Sequence, residues 1–309
     1  MNISRKLLLW ASKNEWLTAH VPNFNFVQKA LKRFMPGETA TDALNAARRL
    51  LEHNIKTTFT HLGENINDLK EADLTSQHYL DLIERINNEK LDVEISLKLT
   101  QIGLDLSCEK TLENFKEITQ KAKQLKINVF LDIEDSSYVD KTIDFYKHIK
   151  NDYDNVGLCL QSYLYRTMDD IKAMIDINPW IRLVKGAYNE PDTVAYRKKK
   201  DVDENYFTIS KYFLEQMQSR EMRIAFATHD LFLQEQIKNE ANFYELPNKK
   251  VEFQLLYGIK EREQISLASQ GYNVRTLISY GELWYPWYMR RLAERPANVG
   301  FVLKNMFSN

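Results

Sequence analysis

Two adjacent arginines near the C-terminus form the clearest candidate for a functional motif. They lie in the segment WYPWYMRRLAER at positions 284–295, among four aromatic residues. On a helix, Arg290, Arg291 and Glu294 share one side, because they are three and four residues apart. Planar guanidinium groups hold a carboxylate through several fixed donors, so the segment is a candidate carboxylate-binding site. The alternative is a surface helix with an internal salt bridge, which is a common and weak arrangement.

Composition restricts what such a site can serve. The chain has 309 residues, 44% of them apolar, with nine glycines and seven prolines. It contains no linker or low-complexity tract, so we expect one folded domain over residues 1–309. The formal net charge is −1, and the basic run at 197–200 is followed by acidic residues. We interpret this run as a solvated, self-compensating segment, and nucleic acid is not an expected partner.

Cysteine content and hydropathy bear on the compartment. Cys108 and Cys159 are too few for a disulfide framework and lack the spacing of a metal site. Both are interpreted as packing residues in a reducing compartment. No apolar stretch approaches the roughly 20 residues that span a bilayer, and no signal peptide is recognisable. We therefore expect a cytoplasmic protein with at most peripheral membrane contact.

The elements that must position the arginines follow from the apolar pattern. Residues 1–53 are predicted to be helical, with helices over 27–34 and 40–52, the second capped by Thr39 or Thr41. From residue 54 onward, short β-branched or apolar runs alternate with amphipathic stretches of helical length. The runs are 55–61, 92–99, 127–133, 156–161, 181–185, 223–228, 251–256 and 272–278. The stretches include 76–87, 111–125, 138–149 and 206–218.

This alternation predicts a barrel. Strands that alternate with helices pair in parallel through helical crossovers. Eight such units in about 250 residues fit a closed (βα)8 barrel of the TIM type better than an open doubly wound sheet. The predicted class is α/β, with N-terminal helices and a C-terminal helix over the barrel mouth. No glycine-rich phosphate loop follows the first strand, which disfavours a Rossmann or P-loop nucleotide site.

Polar residues follow most of the predicted strands. In a (βα)8 barrel, the site lies at the carboxyl ends of the strands. The residues at or near those ends are Lys98, Asp132, Glu134, Asp135, Gln161, Arg182, Lys185, Thr228, His229 and Gln254. Their positive charge, together with the arginine pair, indicates an anionic ligand. Lys185 and the following Gly186, which allows close approach of the backbone, suit a phosphate-bearing cofactor.

Other site chemistries have less support. His229 is a candidate cofactor contact, general base or satisfied barrel-end histidine. The remaining histidines show no ligand spacing with it, which disfavours a metal site. No serine or cysteine occurs in the motif of an activated nucleophile.

These motifs resemble the proline dehydrogenase family, whose members are flavoenzymes built on a (βα)8 barrel. The resemblance covers essentially the whole chain, as in the short single-function bacterial members. RLVKGAY together with RRxxE is a specific combination, although each alone is weaker. The shared motifs are ISLKL at 95–99, LDIED at 131–135, Gln161, RLVKGAY at 182–188, Thr228-His229, EFQ at 252–254 and RRxxE at 290–294.

The resemblance implies roles for the matching residues. Arg182 would lie beside the flavin N5–O4 edge as a catalytic residue, and Asp132 would organise the catalytic centre with it. The residues implied to bind or brace the substrate are Lys98, Arg290, Arg291, Glu294 and, in the ring pocket, Leu277. The residues implied to bind FAD are Ile133, Gln161, Lys185, Gly186, Ala187, Tyr188, Thr228, His229 and Gln254.

The implied activity is oxidation of a small cyclic amino acid that carries a carboxylate. In the family, L-proline passes a hydride from C5 to flavin N5 of FAD and becomes 1-pyrroline-5-carboxylate, the first step of proline catabolism. Electrons then pass to a membrane quinone. The hydride leaves C5 while the amine of the substrate is neutral. Tight binding of the carboxylate holds C5 over the flavin, which is catalysis by orientation.

Two departures from the family pattern concern the substrate ring. Leu277 takes the position of a tyrosine that many members have just after strand eight, and Trp287 replaces a second usual tyrosine. The alternative is an FAD-dependent dehydrogenase of another cyclic amino acid, such as hydroxyproline or an N-substituted analogue. A folate-type reductase, and a flavin-free barrel that acts as a lyase or a regulatory binding protein, are further alternatives.

The implied quinone suggests contact with the inner face of the membrane. The segments 5–10 and 301–307 are short amphipathic candidates for such contact. The alternative is that both segments pack on the barrel as terminal helices.

Overall fold

Eight parallel strands close into a barrel in the order of the sequence. The structure is a computed structural model, which describes residues 10–11, 14–21, 31–63 and 66–294. The strands are β1 (Lys56–His61), β2 (Val93–Leu97), β3 (Val129–Leu131), β4 (Val156–Gln161), β5 (Trp180–Val184), β6 (Arg223–Ala227), β7 (Glu252–Leu256) and β8 (Asn273–Tyr280). The barrel closes where β8 pairs with β1, from Lys56 opposite Arg275 to His61 opposite Tyr280.

Helices in the described residues precede the barrel, connect its strands and follow it. They are α1 (Glu15–His20), α2 (Ala40–Leu51), α3 (Leu69–Asn88), α4 (Cys108–Gln124), α5 (Val139–Lys150), α6 (Thr167–Lys172), α7 (Lys199–Gln216), α8 (Leu231–Phe243), α9 (Glu261–Ser269) and α10 (Trp284–Glu294). Short 3₁₀ turns lie at Leu99–Ile102, Ile175–Ile177 and Asn248–Lys250. The predicted α/β barrel class is confirmed.

Strand β2 shows how the sequence builds both sides of the barrel wall. Val93, Ile95 and Leu97 are buried in the apolar core. Between them, Glu94 and Ser96 bond to arginine side chains inside the barrel. Because successive side chains of a strand point to opposite faces, one strand supplies apolar residues to the helix layer and polar residues to the interior.

The element boundaries follow the sequence closely. All eight predicted strands are present, each with its ends within two residues of the prediction. Helix α2 has Thr39 as its cap, because the Thr39 hydroxyl accepts from the Asp42 amide while the Asp42 carboxylate accepts from the Thr39 amide, both at 3.1 Å. Helix α3 begins well before residue 76, because Asp68 caps its first turn.

The barrel interior is ionic at its amino-terminal end. Arg223 donates to both oxygens of Glu252 at 2.8 Å and also to Glu94. The Nε of Arg275 lies 3.2 Å from Glu94. Burial by itself raises the pKa of Glu94, but the two arginines lower it to about 2. These charged pairs occupy a place that branched aliphatic side chains usually fill in such barrels.

Helix α10 lies on the side of the barrel where the strands end. It follows β8 directly, and its Trp284 and Tyr288 pack in one apolar cluster with Leu62, which follows β1, and with Met35. The Trp284 indole donates to Glu38 at 2.8 Å. The helix therefore joins the N-terminal segment to the barrel mouth, which is the place predicted for it.

The two cysteines differ in their surroundings. Cys159 is buried on β4, and burial raises the pKa of its thiol to about 12. Cys108 is exposed at the first residue of α4, directly after the cap Ser107. The packing interpretation is therefore wrong for Cys108, because the first turn of that helix faces solvent at this residue.

The predictions about membrane contact fall mostly outside the described residues. Residues 5–9 and 301–307 lie there, and so do residues 27–30 of the helix predicted over 27–34. Of the helices that the structure describes, none combines the length and the apolar character needed to cross a membrane.

Candidate active site

Arg182 stands at the centre of the candidate site. It lies on β5 with its side chain inside the barrel, and 2% of its surface is exposed. Its Nη1 donates to Asp132 Oδ1 and to Ser96 Oγ, both at 2.9 Å. Its Nε donates to Gln254 Oε1 at 2.6 Å. Residues from β2, from β7 and from the end of β3 therefore meet β5 at one guanidinium group.

One nitrogen of this group, with its two N–H donors, is left for a ligand. The Nη2 of Arg182 is buried and makes no hydrogen bond within the part of the chain that the structure describes. The guanidinium carbon lies 4.5 Å from the centre of the Phe130 ring, a cation–π contact that stabilises the buried charge. A buried N–H without an acceptor costs free energy, so Nη2 fits a ligand atom that accepts a hydrogen bond.

Asp132 is fixed from two directions. Ser96 donates to its Oδ1 at 2.7 Å, and the Nη1 of Arg182 reaches the same oxygen. The side chain is 19% exposed, whereas that of Arg182 is 2% exposed. Asp132 is therefore the member of the pair that lies nearer the solvent, and its geometry is set before any ligand binds.

Lys98 lies at the mouth, directly after β2. Its side chain is largely buried, and its Nζ donates to the Gly63 carbonyl at 3.4 Å. Gln101 accepts from the Lys98 amide at 3.1 Å and donates to the His61 carbonyl at 2.8 Å. These contacts fix the cation relative to the end of β1.

His61, which the sequence pattern does not identify as a site residue, ends β1 beside Lys98. Its ring centre is 4.3 Å from that of His78. Its Nδ1 is buried and makes no hydrogen bond within the described ranges. Burial lowers the pKa of His61 to about 4, and the positive potentials of His78 and Lys98 act in the same direction. His61 is therefore neutral near pH 7.

The segment after β3 is held by the end of β4. Gln161 donates from Nε2 to the Glu134 carbonyl at 2.9 Å. The Thr100 hydroxyl donates to the Glu134 carboxylate at 2.8 Å. Ile133 is buried between these contacts and Asp132. Gln161 therefore fixes the backbone next to Ile133. The family resemblance assigns both Gln161 and Ile133 to cofactor binding.

Lys185 lies between two carboxylates. Its Nζ is 2.5 Å from Asp203 and 3.1 Å from Asp230, and Lys199 pairs with the same two groups. The basic run at 197–200 is thus partly compensated, as predicted. Burial alone raises the pKa of Asp230, but hydrogen bonds from Lys199 and Lys185 lower it to about 2. A phosphate near Lys185 would share the cation with these carboxylates.

Gly186 adopts a conformation that other residues avoid. Its φ is +123°, and a Cβ at this position would lie 2.3 Å from the Tyr163 ring. Tyr163 therefore occupies the space on that side, where the sequence alone suggests room for a ligand. Ala187 and Tyr188 follow and are partly exposed.

Glu190 ties two loops of the mouth together. It accepts from the Ser136 amide at 2.7 Å and from the Ser136 hydroxyl at 2.5 Å. Glu190 is 6% exposed, so these bonds are sheltered from water. They join the loop after β5 to the loop after β3.

Thr228 and His229 connect β6 to its neighbours. The Thr228 hydroxyl accepts from the Asp230 amide at 3.2 Å, and the Thr228 carbonyl accepts from Gln234 at 2.7 Å. The Leu256 amide donates to His229 Nε2 at 3.0 Å. Nε2 of His229 therefore carries no proton, and the neutral ring carries its proton on Nδ1.

Gln254 lies deeper than a residue of the mouth rim. It is 3% exposed and bonds to Arg182 and, through Nε2, to Glu252 at 2.6 Å. Its side chain therefore holds Arg182 from the amino-terminal side of the barrel. The family resemblance, in contrast, assigns Gln254 to cofactor binding.

The structure describes some of the predicted substrate residues on β8 and α10. Leu277 lies within β8, opposite Leu256 and Thr58, and so inside the strand predicted over 272–278. The strand continues to Tyr280 because its pairing with β1 continues to His61. Trp287 is half-buried on α10. The side chains of Arg290, Arg291 and Glu294 lie outside the described part of the structure.

Small side chains flank Arg182 inside the barrel. Ala225 on β6 and Cys159 on β4 are level with it in the two neighbouring strands, and Ala227 is level with Gln254. The inward hydroxyl of Ser279 is buried and has no hydrogen-bond partner in the described residues. The small neighbours of the guanidinium, together with the unpartnered polar atoms, fit a flat, hydrogen-bonding ring such as that of a flavin.

Sequence comparison decides the family. A sequence profile described as proline dehydrogenase matches residues 43–304. The chain belongs to the proline dehydrogenase family. Proline dehydrogenase 2 of Bacillus subtilis (strain 168) is 37% identical over 304 residues, which cover 98% of this chain and 99% of that relative. The proline dehydrogenase of Deinococcus radiodurans is 35% identical over 284 residues, 89% of each chain.

A solved structure shows the same fold. Proline utilization A from Bdellovibrio bacteriovorus, inactivated by N-propargylglycine, superimposes with a TM-score of 0.80 at 24% identity. The match covers 99% of this chain and 38% of that longer protein. At 24% identity this structural similarity supports the fold only. Membership of the proline dehydrogenase family places the chain among the oxidoreductases.

Several residues of the site are not among those predicted from the sequence. Ser96 could be found from it, because it lies two residues before Lys98 and so shares the inward face of the same strand. Asp203, Asp230 and Glu190 could not, because each acts through a partner on a different loop.

Proposed function

We propose that this chain catalyses the FAD-dependent oxidation of L-proline to 1-pyrroline-5-carboxylate. The observation that carries the proposal is the buried Arg182 inside the barrel. Its Nη2 has no partner among the described residues. The family and the names of relatives that match almost end to end support the substrate. Bound FAD would supply the hydride acceptor.

Arg182 would act at the edge of the bound ring. Its Nη2 would donate a hydrogen bond there, and its charge would stabilise the electron-rich reduced form. Asp132 and Ser96 would keep the guanidinium group in place, since both bind its Nη1. The residues that would hold FAD are Ile133, Gln161, Lys185, Gly186, Ala187, Tyr188, Thr228, His229 and, through Arg182, Gln254.

The substrate carboxylate would bind to cations at the mouth. Lys98 is buried there beside a neutral His61, and the backbone of Arg290 and Arg291 belongs to α10, which packs beside the end of β1. Holding the carboxylate fixes the ring over the reacting edge, and this orientation lowers the barrier. Glu294 would brace the arginines. The amine must be neutral when the hydride leaves.

Arg291→Ala tests the carboxylate role separately. This variant should raise the KM for L-proline steeply while the flavin stays bound, because it removes a contact with substrate alone. Loss of the flavin in Arg291→Ala would show that the helix has a different role.

Electron transfer to a quinone, at the inner face of the membrane, completes the proposal. Support for it comes from the family resemblance, and the terminal segments that would touch the membrane lie outside the described residues. Co-sedimentation with liposomes, with and without residues 301–309, tests this contact. Absence of the intact chain from the liposome pellet would contradict it.

A second candidate substrate is another cyclic amino acid, such as hydroxyproline or an N-substituted proline. Leu277 favours it, because its inward, half-buried side chain on β8 replaces a tyrosine that the resemblance leads us to expect. An apolar, smaller side chain changes which ring substituents fit.

The deciding experiment is an absorbance spectrum before and after anaerobic addition of L-proline. Flavin bands that bleach would support both cofactor and substrate. Bands that bleach only with hydroxyproline or an N-substituted proline would favour the second candidate, and Leu277→Tyr should then restore the response to L-proline. A colourless protein that does not take up FAD would overturn the proposal.

A further inference from the structure

A chain of hydrogen bonds runs inside the barrel from its ionic end to Arg182. Arg223 donates to both oxygens of Glu252 at 2.8 Å. Gln254 donates from Nε2 to Glu252 Oε1 at 2.6 Å, and Arg182 donates from Nε to Gln254 Oε1 at 2.6 Å. Glu252, Gln254 and Arg182 are each at most 3% exposed, so water does not compete for these bonds.

The direction of this chain is set at both ends, because Arg182 only donates and the Glu252 carboxylate only accepts. A carboxylate only accepts hydrogen bonds, whereas an amide group both donates and accepts. Gln254 must therefore turn its NH₂ group towards Glu252, which leaves its oxygen for Arg182. The bidentate pairing with Arg223 fixes the carboxylate in turn.

We propose that Glu252 is a positioning residue for Arg182 and acts through Gln254. The contact from Nε to Gln254 and the contacts from Nη1 to Asp132 and Ser96 lie on two edges of the guanidinium group. Together they define its plane and direct Nη2 to the ligand. Without the contact at Nε, the group can rotate about the contacts at Nη1.

The effect on the reaction rests on the proposed function, but the effect on Arg182 does not. A donor that is misdirected by a fraction of an ångström loses much of its value for orientation and charge stabilisation. The guanidinium geometry itself can be measured in the protein without FAD or substrate.

Three variants distinguish a positioning role of Glu252 from a purely structural one. Glu252→Gln removes the constraint at this end of the chain, because an amide at 252 can also offer its NH₂ group to Gln254. Glu252→Asp keeps the negative charge beside Arg223 but withdraws the carboxylate from Gln254 by one methylene group. Asn273→Ala is the matched control, because it removes a bond of 3.2 Å to the other oxygen, Oε2, of Glu252.

The first readout is the ¹⁵N–¹H signal of Arg182 Nε in the ligand-free protein, assigned by its loss in Arg182→Lys. We expect one sharp, slowly exchanging signal in the natural protein and in Asn273→Ala. In the Glu252 variants we expect a broadened, doubled or fast-exchanging signal. A sharp, unshifted signal in a Glu252 variant that folds, as judged by circular dichroism, would overturn the proposal. Glu252→Asp serves if Glu252→Gln does not fold.

The second readout uses the FAD-loaded protein. The Glu252 variants should lower kcat for L-proline about tenfold with little change in KM, and should shift the midpoint potential of the flavin. An unchanged kcat and potential beside an altered Arg182 signal would overturn the link to the reaction. If the natural protein takes up no FAD or leaves L-proline unchanged, the proposed function fails, while the first readout still tests the role of Glu252.

Discussion

At the scale of residues, burial and pairing decide the charge at the mouth. Cations outnumber anions among the predicted ligand-binding residues, but Arg182 pairs with Asp132, and Lys185 pairs with Asp203 and Asp230. His61 adds no charge, because its pKa lies at about 4. The positive potential open to a ligand is therefore smaller than the residue types suggest, and the unpartnered Nη2 of Arg182 becomes more important.

His61 should make stability depend on pH. Its pKa falls from 6.5 to about 4 on folding, chiefly through burial. Between these values the unfolded chain binds a proton that the folded chain does not, so stability is lost as the pH falls from about 6.5 to about 4. The loss is about 3 kcal/mol at most. Urea unfolding of His61→Gln should show a flatter profile in this window.

The control for this prediction is His148→Gln, since His148 is exposed on α5. That variant should keep the slope of the natural protein. A slope in His61→Gln equal to that of the natural protein would show that His61 is not the responsible group.

Asp230 should weaken the hold on a phosphate-bearing cofactor. Asp230→Asn removes one negative charge 3.1 Å from Lys185 and retains a side chain that can cap α8. We expect FAD to bind about threefold to tenfold more tightly, as a single partly exposed charge would give. Quenching of FAD fluorescence measures this. Asp176→Asn, at an exposed site, is the control, and weaker binding by Asp230→Asn would refute the expectation.

At the scale of elements, the loop after β5 carries a strict backbone requirement at the mouth. Gly186 has a positive φ and packs against Tyr163, while Glu190, further along the loop, holds Ser136. The sequence predicts β5 and the loop correctly, because β-branched and apolar residues give way to a glycine. It does not reveal the neighbours of the loop, because they come from the segments that follow β4 and β3.

Gly186→Ala should destabilise the fold more than Gly271→Ala. Both glycines have positive φ, so both variants carry backbone strain of about 1 kcal/mol. At Gly186 the new Cβ also meets the Tyr163 ring at 2.3 Å, whereas at Gly271 nothing lies within 4 Å. We expect a total loss of about 2–4 kcal/mol for Gly186→Ala. Equal midpoints of the two variants in thermal unfolding would contradict this reading of the loop.

At the scale of the whole molecule, the barrel is organised around charges along its interior. Arg223 and Arg275 pair with Glu94 and Glu252 at one end, and Gln254 connects this network to Arg182 at the other. Rings add to it, since Phe130 lies 4.5 Å from the guanidinium carbon of Arg182 and 5.4 Å from that of Arg223. Stability and site geometry therefore depend on the same buried network.

Arg223→Met should be strongly destabilising. It leaves Glu94 and Glu252, both almost fully buried, without a main cationic partner. Removing one member of a buried pair costs about 3–5 kcal/mol. Denaturant unfolding measures the loss, and Arg220→Met, whose partner Asp176 is exposed, should cost no more than about 1 kcal/mol. Similar losses in the two variants would show that the interior network contributes little.

The alternation of eight strands with helices, the barrel class and the set of polar residues at the strand ends can all be predicted from the amino-acid sequence. These features depend on local periodicity, which a linear chain displays directly. The pairing of the charges, in contrast, is visible only in the folded barrel. Arg182 meets Gln254 across 72 residues and Ser96 across 86, and Lys185 is held by two aspartates from later elements. Such pairings depend on barrel closure and register, which bring distant strands to one level and select partners by distance.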